Sequence, residues 1–94
     1  MATFILFGKY SADALKGVSG ARTKKAAALV KKLKGKVIGM YAMLGDKDLL
    51  FILDLPGMEE AVKASVGLHK LTGISFTTAP AISVDVFDRL MTKA

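Results

Sequence analysis

The chain has no cysteine and no tryptophan, and only one histidine and two prolines among its 94 residues. Without cysteine there are no disulfides, no thiol nucleophile and no thiolate metal site, and the ordinary expectation for such a chain is the cytoplasm. The lone His69 has no second histidine at metal-ligand spacing, so no metal site is expected and no cofactor is implied. No segment approaches the roughly 18 to 20 uninterrupted apolar residues of a spanning helix. Lys9, Lys36, Asp46 and Asp54 interrupt the most apolar stretches, and a membrane partner is not expected. The opening residues Met1 to Phe7 lack the positive flank of a secretory signal, the first charge being Lys9, and read as the start of a strand.

What is abundant is apolar surface. Hydrophobic residues make up 52% of the chain and the mean hydropathy is +0.42, more than so small a domain has interior to hide. With a membrane set aside, the surplus is expected to face another protein subunit. The net charge of +6 is uneven: residues 1 to 36 hold nine Lys or Arg against one acid, while residues 37 to 94 hold five against seven.

Thr3 to Tyr10 is rich in aromatic and β-branched residues and too short for a core helix, which predicts a first strand. Ser11 to Gly17 suits a turn or short helix, Ser11 capping its start and Gly17 its end. From about Gly20 to Lys34, the positions Ala26, Leu29, Val30 and Leu33 fall on one helical face, and Gly35 is expected to end that helix. Residues 36–44 and 48–55 are two strand-like runs around the polar link Gly45-Asp46-Lys47-Asp48. Pro56-Gly57 closes the second run. Residues 58–70 follow with helical spacing, and Glu59 and Glu60 sit in the first turn, where the helix dipole favours acids. Residues 73–82 form a fourth strand in which Pro80 argues for an edge or a bulge. A last helix spans 84–93 after Ser83.

The order β-α-β-β-α-β plus a terminal helix is that of a ferredoxin-like α+β domain, one domain over residues 1–94, with both main helices on one face of an antiparallel sheet. A sheet wet on its other face shows alternating polar residues. Here the first strand has Phe4 and Leu6 on one side and Ile5 and Phe7 on the other. The second is expected to set Val37, Tyr41 and Met43 against Ile38, Met40 and Leu44, and the third Leu49, Phe51, Leu53 and Leu55 against Leu50 and Ile52. Leaving the second face wet forfeits more than ~10 kcal/mol at the usual value per buried side chain. A two-fold, sheet-to-sheet homodimer is therefore the expected closed solution.

The opening MATFILFGKYS, the block LKGKVIGMYAMLGDKDLLFILDLP and the closing TTAPAISVDVFDRLM together resemble the GYD domain family across essentially the whole chain. That resemblance implies a dimeric α/β barrel and no settled function. The family's Gly-x-Tyr-Asp feature stands here as Gly45-Asp46-Lys47-Asp48, with lysine in place of the tyrosine. Residues 37–82 are also similar to the effector-binding domain of Lrp/AsnC regulators. The similarity rests on Val37 and Tyr41, then Gly45 and Asp48, then Gly73, Thr77 and Thr78. In those regulators the turn helps bind amino-acid effectors at subunit interfaces, while the DNA-binding helix-turn-helix that accompanies it there is missing before residue 37 here.

Among candidate ligand-binding residues, Gly45, Asp46 and Asp48 offer two carboxylates near the sheet's end, suited to an amino group or a cation, although a plain solvated turn uses the same residue types. Tyr41 and His69 are ring-borne acid/base groups that suit a pocket between helices and sheet, against the commoner role of a tyrosine or histidine in packing. Thr77 offers a hydroxyl. Lys24, Lys25, Lys31 and Lys32 form a basic helix face. It lacks interleaved aromatics and any recognised motif, which argues against nucleic acid and for a solvated face. No catalytic triad or phosphate-cradling loop stands out. The expected function is a small-molecule-binding or regulatory homo-oligomeric module. The alternatives are a small metal-free barrel enzyme of isomerase or cofactor-free oxygenase type, and an assembly module docking an acidic partner through the basic helix.

Overall fold

Three serines set the starts of three helices. The Oγ atoms of Ser11, Ser19 and Ser83 accept the backbone N–H groups of Ala14, Arg22 and Val86 at 3.0, 3.0 and 3.2 Å. Each cap satisfies a donor that has no partner within its helix. The computed structural model describes residues 1–93. Its elements are β1 (Ala2–Lys9), α1 (Ala12–Lys16), α2 (Gly20–Lys32), β2 (Lys36–Ala42), β3 (Leu49–Leu55), α3 (Met58–Thr72), β4 (Ser75–Ala81) and α4 (Val84–Lys93). Ser11 and Gly17 cap α1 as the residue types predict.

Helix α2 stops earlier than expected. Its cap is Leu33, and the left-handed position is taken by Lys34 at φ 62°, not by Gly35. A lysine there costs on the order of 1 kcal/mol. Gly35 is needed one step later, where a Cβ would stand 2.5 Å from Leu55 Cδ2 and 2.9 Å from the carbonyl oxygen of Asp54. The glycine serves the close approach of the chain to β3, and the turn falls to its neighbour.

The four strands form one antiparallel sheet in the order β2-β3-β1-β4, the ferredoxin-like arrangement. Pro80 lies in β4, an edge strand paired only with β1, where a missing backbone donor is tolerated. Phe4 and Leu6 of β1 with Phe51, Leu53 and Leu55 of β3 face the helices and are buried. Ala26 and Val30 of α2 and Ala61, Ala64 and Leu68 of α3 cover them, and the alanines let the helices approach closely. Leu6, Leu53, Leu55 and Leu68 are fully buried, and truncating any one to alanine costs about 2 to 5 kcal/mol.

The expected alternation along the second strand fails after its first residues. Val37 lies opposite Leu53 and Met40 opposite Phe51, so both face the helices, whereas Tyr41 lies opposite Leu50 on the other face. The register shift between Val37 and Gly39 inserts Ile38 as an extra residue. Such a bulge reverses the parity of every position after it. Tyr41 therefore parts company with Val37.

The face away from the helices carries Ile5 and Phe7 from β1, Leu50 and Ile52 from β3, Tyr41 from β2, and Thr77 and Ala79 from β4. Its margin is polar: Lys36 pairs with Asp54 across the ladder, and Thr3 Oγ1 donates to Asp54 Oδ1 at 2.8 Å. Helix α4 buries no residue, and Val84, Phe87, Leu90 and Met91 are all at least half exposed. It stands away from the body, which raises the radius of gyration to 14.2 Å against about 12 Å for a compact chain of this length.

Candidate functional site

One cleft that combines an apolar floor with placed polar groups lies under the N-terminal half of α2, on the helix side of the sheet. Its volume is about 130 Å³. Its floor is apolar, with Ala26, Phe51 and Ile74 buried and Met40 half-buried. Val18, Ser19, Thr23, Tyr41 and Ala42 are exposed and form its rim. Between floor and rim stand Tyr10, Arg22 and Thr72.

Arg22 is held there by its surroundings. The Ser19 cap fixes its backbone. Its Nη1 donates to the carbonyl oxygen of Ala14 at 2.6 Å, an oxygen at the end of α1 that also accepts the Gly17 N–H at 3.2 Å. Its Cζ lies 6.0 Å from the centre of the Tyr10 ring, the outer limit of a cation–π contact. Tyr10 is fixed in turn, because its backbone N–H donates to Asp48 Oδ2 at 2.8 Å. The Thr23 and Thr72 hydroxyls donate to the backbone oxygens of Ser19 and Leu68 at 3.2 and 2.7 Å.

The residues singled out from the sequence lie in several places. Asp48 staples the β2–β3 link to the end of β1: its carboxylate accepts from Tyr10, its N–H donates to Gly8 O at 2.9 Å, and its carbonyl accepts from Met43 at 2.8 Å. Lys9 Nζ donates to Asp46 O at 2.9 Å and lies 4.0 Å from Asp48 Oδ2. Gly45 turns the link at φ 108°. These bonds give the Gly45-Asp46-Lys47-Asp48 segment a structural task in tying the hairpin down.

Tyr41 reaches the cleft only at its rim. Its ring lies over Gly39, where a Cβ would be 2.8 Å from Tyr41 Cε2, on the sheet face away from the helices. Thr77 is on that same face, in one row with Tyr41, Leu50 and Phe7. His69 sits near the end of α3, where Nδ1 is 2.8 Å from Ile74 O and its own carbonyl accepts the N–H of Gly73, the left-handed cap, at 2.7 Å. It braces the α3–β4 turn, beside a shallow depression with Ser65, Val66, Ser75 and Phe76. Lys24, Lys25, Lys31 and Lys32 are exposed on α2, and Lys9–Asp48 is the ion pair found among the described residues. Among those residues no three His, Asp or Glu side chains cluster to hold a metal ion, and no helix is long and apolar enough to cross a membrane.

Sequence reasoning missed Arg22 as a site residue. A signal existed: it is the one arginine of the basic N-terminal third, three residues after a serine that caps a helix. The floor residues Met40 and Phe51 carried no signal beyond hydrophobicity.

A four-stranded antiparallel sheet with α2 and α3 packed on one face defines this chain as a ferredoxin-like α+β protein. The GYD domain profile matches residues 4–91, and the chain belongs to the GYD domain family. No curated protein matches the sequence.

Proposed function

We propose that the protein is a small-molecule-binding or regulatory module that acts as a homo-oligomer, two copies meeting through the open sheet face and the ligand seated in the cleft under α2. The observation that supports the binding half is the cleft itself: an apolar floor, a rim of small and polar residues, and an arginine fixed between them. Binding sites for small molecules have this composition, mostly apolar with a few placed polar groups. The homo-oligomeric half is supported by the open face. Ile5, Phe7, Leu50 and Ile52 form its centre, and Lys36, Asp54 and Thr3 lie at one margin. An apolar centre bordered by polar residues has the composition of a protein interface.

The test has two parts. Sedimentation equilibrium of the wild-type protein should give at least twice the protomer mass, and Ile52→Glu should give the protomer. A protomer mass for the wild type at micromolar concentration rejects the homo-oligomer. Amide chemical-shift mapping against a library of small organic acids, amides and amines should locate responses around Tyr10, Arg22 and Ile74. A library without any response there rejects the binding reading.

A further inference from the structure

The cleft under α2 has an electrostatic sign as well as a shape. Arg22 is the one charged side chain that lines it, and no carboxylate does. The guanidinium has five N–H donors, of which Nη1 is engaged by Ala14 O. No carboxylate lies within ion-pair distance of Arg22 among the described residues. A cation that is anchored, half-buried and without an acidic partner is a prepared anion site, since arginine's planar fork matches a carboxylate.

We propose that the cleft takes a small monocarboxylate with an apolar tail, the carboxylate on Arg22 and the tail over Ala26, Met40, Phe51 and Ile74. This rests on the reading of the cleft as the ligand site. Three features narrow the class. A zwitterionic amino acid would set its ammonium beside a guanidinium with no carboxylate in the lining to receive it, which separates this site from the amino-acid effectors suggested by the Lrp/AsnC similarity. A phosphate ester or dicarboxylate brings a second negative charge, and the lining has no second cation. Size bounds the tail: the cleft holds only about 130 Å³, less than the roughly 150 Å³ of a closed cavity that takes benzene, so the tail is a small branched or aromatic group that extends partly through the open rim.

Benzoate and 3-methylbutanoate are the probes, each paired with its neutral amide, benzamide and 3-methylbutanamide, in titrations of the full chain followed by amide chemical shifts. Both acids should bind at least tenfold more tightly than their amides, the value of one hydrogen bond to a charged group. Arg22→Gln should erase the difference. Because Arg22 also braces Ala14, a second variant guards against simple loss of fold. Thr23→Glu places a carboxylate at the rim within the first turn of α2, where an acid favours the helix, and it should abolish acid binding while the protein stays folded. Equal affinity for acid and amide, or an acid preference that survives both variants, overturns the carboxylate assignment and leaves the cleft as a ligand site. If neither member of either pair shifts a cleft resonance, the monocarboxylate assignment falls, and the wider library decides separately whether the cleft binds any small molecule.

Discussion

Replacing Asp48 by alanine asks whether the hairpin aspartate belongs to the fold or is free for a ligand. Its Oδ2 accepts the part-buried N–H of Tyr10 at 2.8 Å. Alanine leaves that donor without its acceptor, a loss of about 1.5 to 3 kcal/mol for a bond to a charged group. The Lys9–Asp48 pair adds little, because at 4.0 Å, with side chains 55% and 29% exposed, water screens it to a few tenths of a kcal/mol. The expected cost is therefore about 2 kcal/mol, or roughly 8 to 16 °C in Tm for a domain of this size. Asp48→Asn keeps a side-chain carbonyl to accept the bond and should lose about 1 kcal/mol or less. Asp46→Ala should stay within about 0.5 kcal/mol of wild type, since the bond to Lys9 uses the backbone oxygen of Asp46, which the substitution keeps. Urea denaturation at one fixed protomer concentration measures all three, with an unchanged m-value showing that the same structure unfolds. If Asp48→Ala lies within about 0.3 kcal/mol of wild type, the bond does not hold the fold and the carboxylate is available for binding.

Gly35→Ala should cost about 1 to 3 kcal/mol, because one of the atoms it meets is the backbone oxygen of Asp54, whereas Gly20→Ala, with nothing within 4 Å, should be neutral or slightly stabilising; denaturation midpoints compare the two. His69→Ala should cost about 0.5 to 1.5 kcal/mol through the lost contact to Ile74 O, and the change should appear as faster hydrogen exchange in the α3–β4 turn. Ile52→Glu, placed on the open face, should abolish self-association yet leave benzoate binding within about threefold, since Ile52 does not line the cleft and the cleft floor lies on the opposite face; calorimetry on the separated protomer checks it.

The element order was legible in the sequence because the signals were local and agreed with one another: serine caps, glycine and proline breaks, short continuous apolar runs for the strands and a period of 3.6 for the helices. Pro80 marked an edge strand correctly for the same reason. The second strand was misread because its bulge is set by pairing with β3, which periodicity alone cannot register. The site was less legible still. Its lining draws on α2 and the link before it, strands β2 and β3, the residues flanking β1 and β4, and the end of α3, brought together only by the tertiary fold. Its one charged member sat among thirteen other basic residues, and what distinguishes it is a carbonyl partner in α1.

The bulge at Ile38 also decides what kind of wall the cleft has. Strict alternation from Val37 puts Gly39 and Tyr41 under the helices and sends Met40 outward. The extra residue reverses this: Met40 faces Phe51's side of the sheet and Tyr41 lies over Gly39 on the open face, leaving only the rim of the cleft to it. A thioether is soft, apolar and adaptable, and a phenol is not. The same insertion thus makes the cleft wall apolar and brings an amphipathic ring to the face where a second copy is proposed to pack, a position tyrosine favours at interfaces. Strand β3 serves both sides in the same way, with Leu49 and Phe51 toward the cleft and Leu50 and Ile52 toward the open face. As proposed, ligand binding and self-association draw on alternate residues of the same two strands and share Tyr41, so substitutions at Met40 and at Ile52 separate them where one at Tyr41 would not.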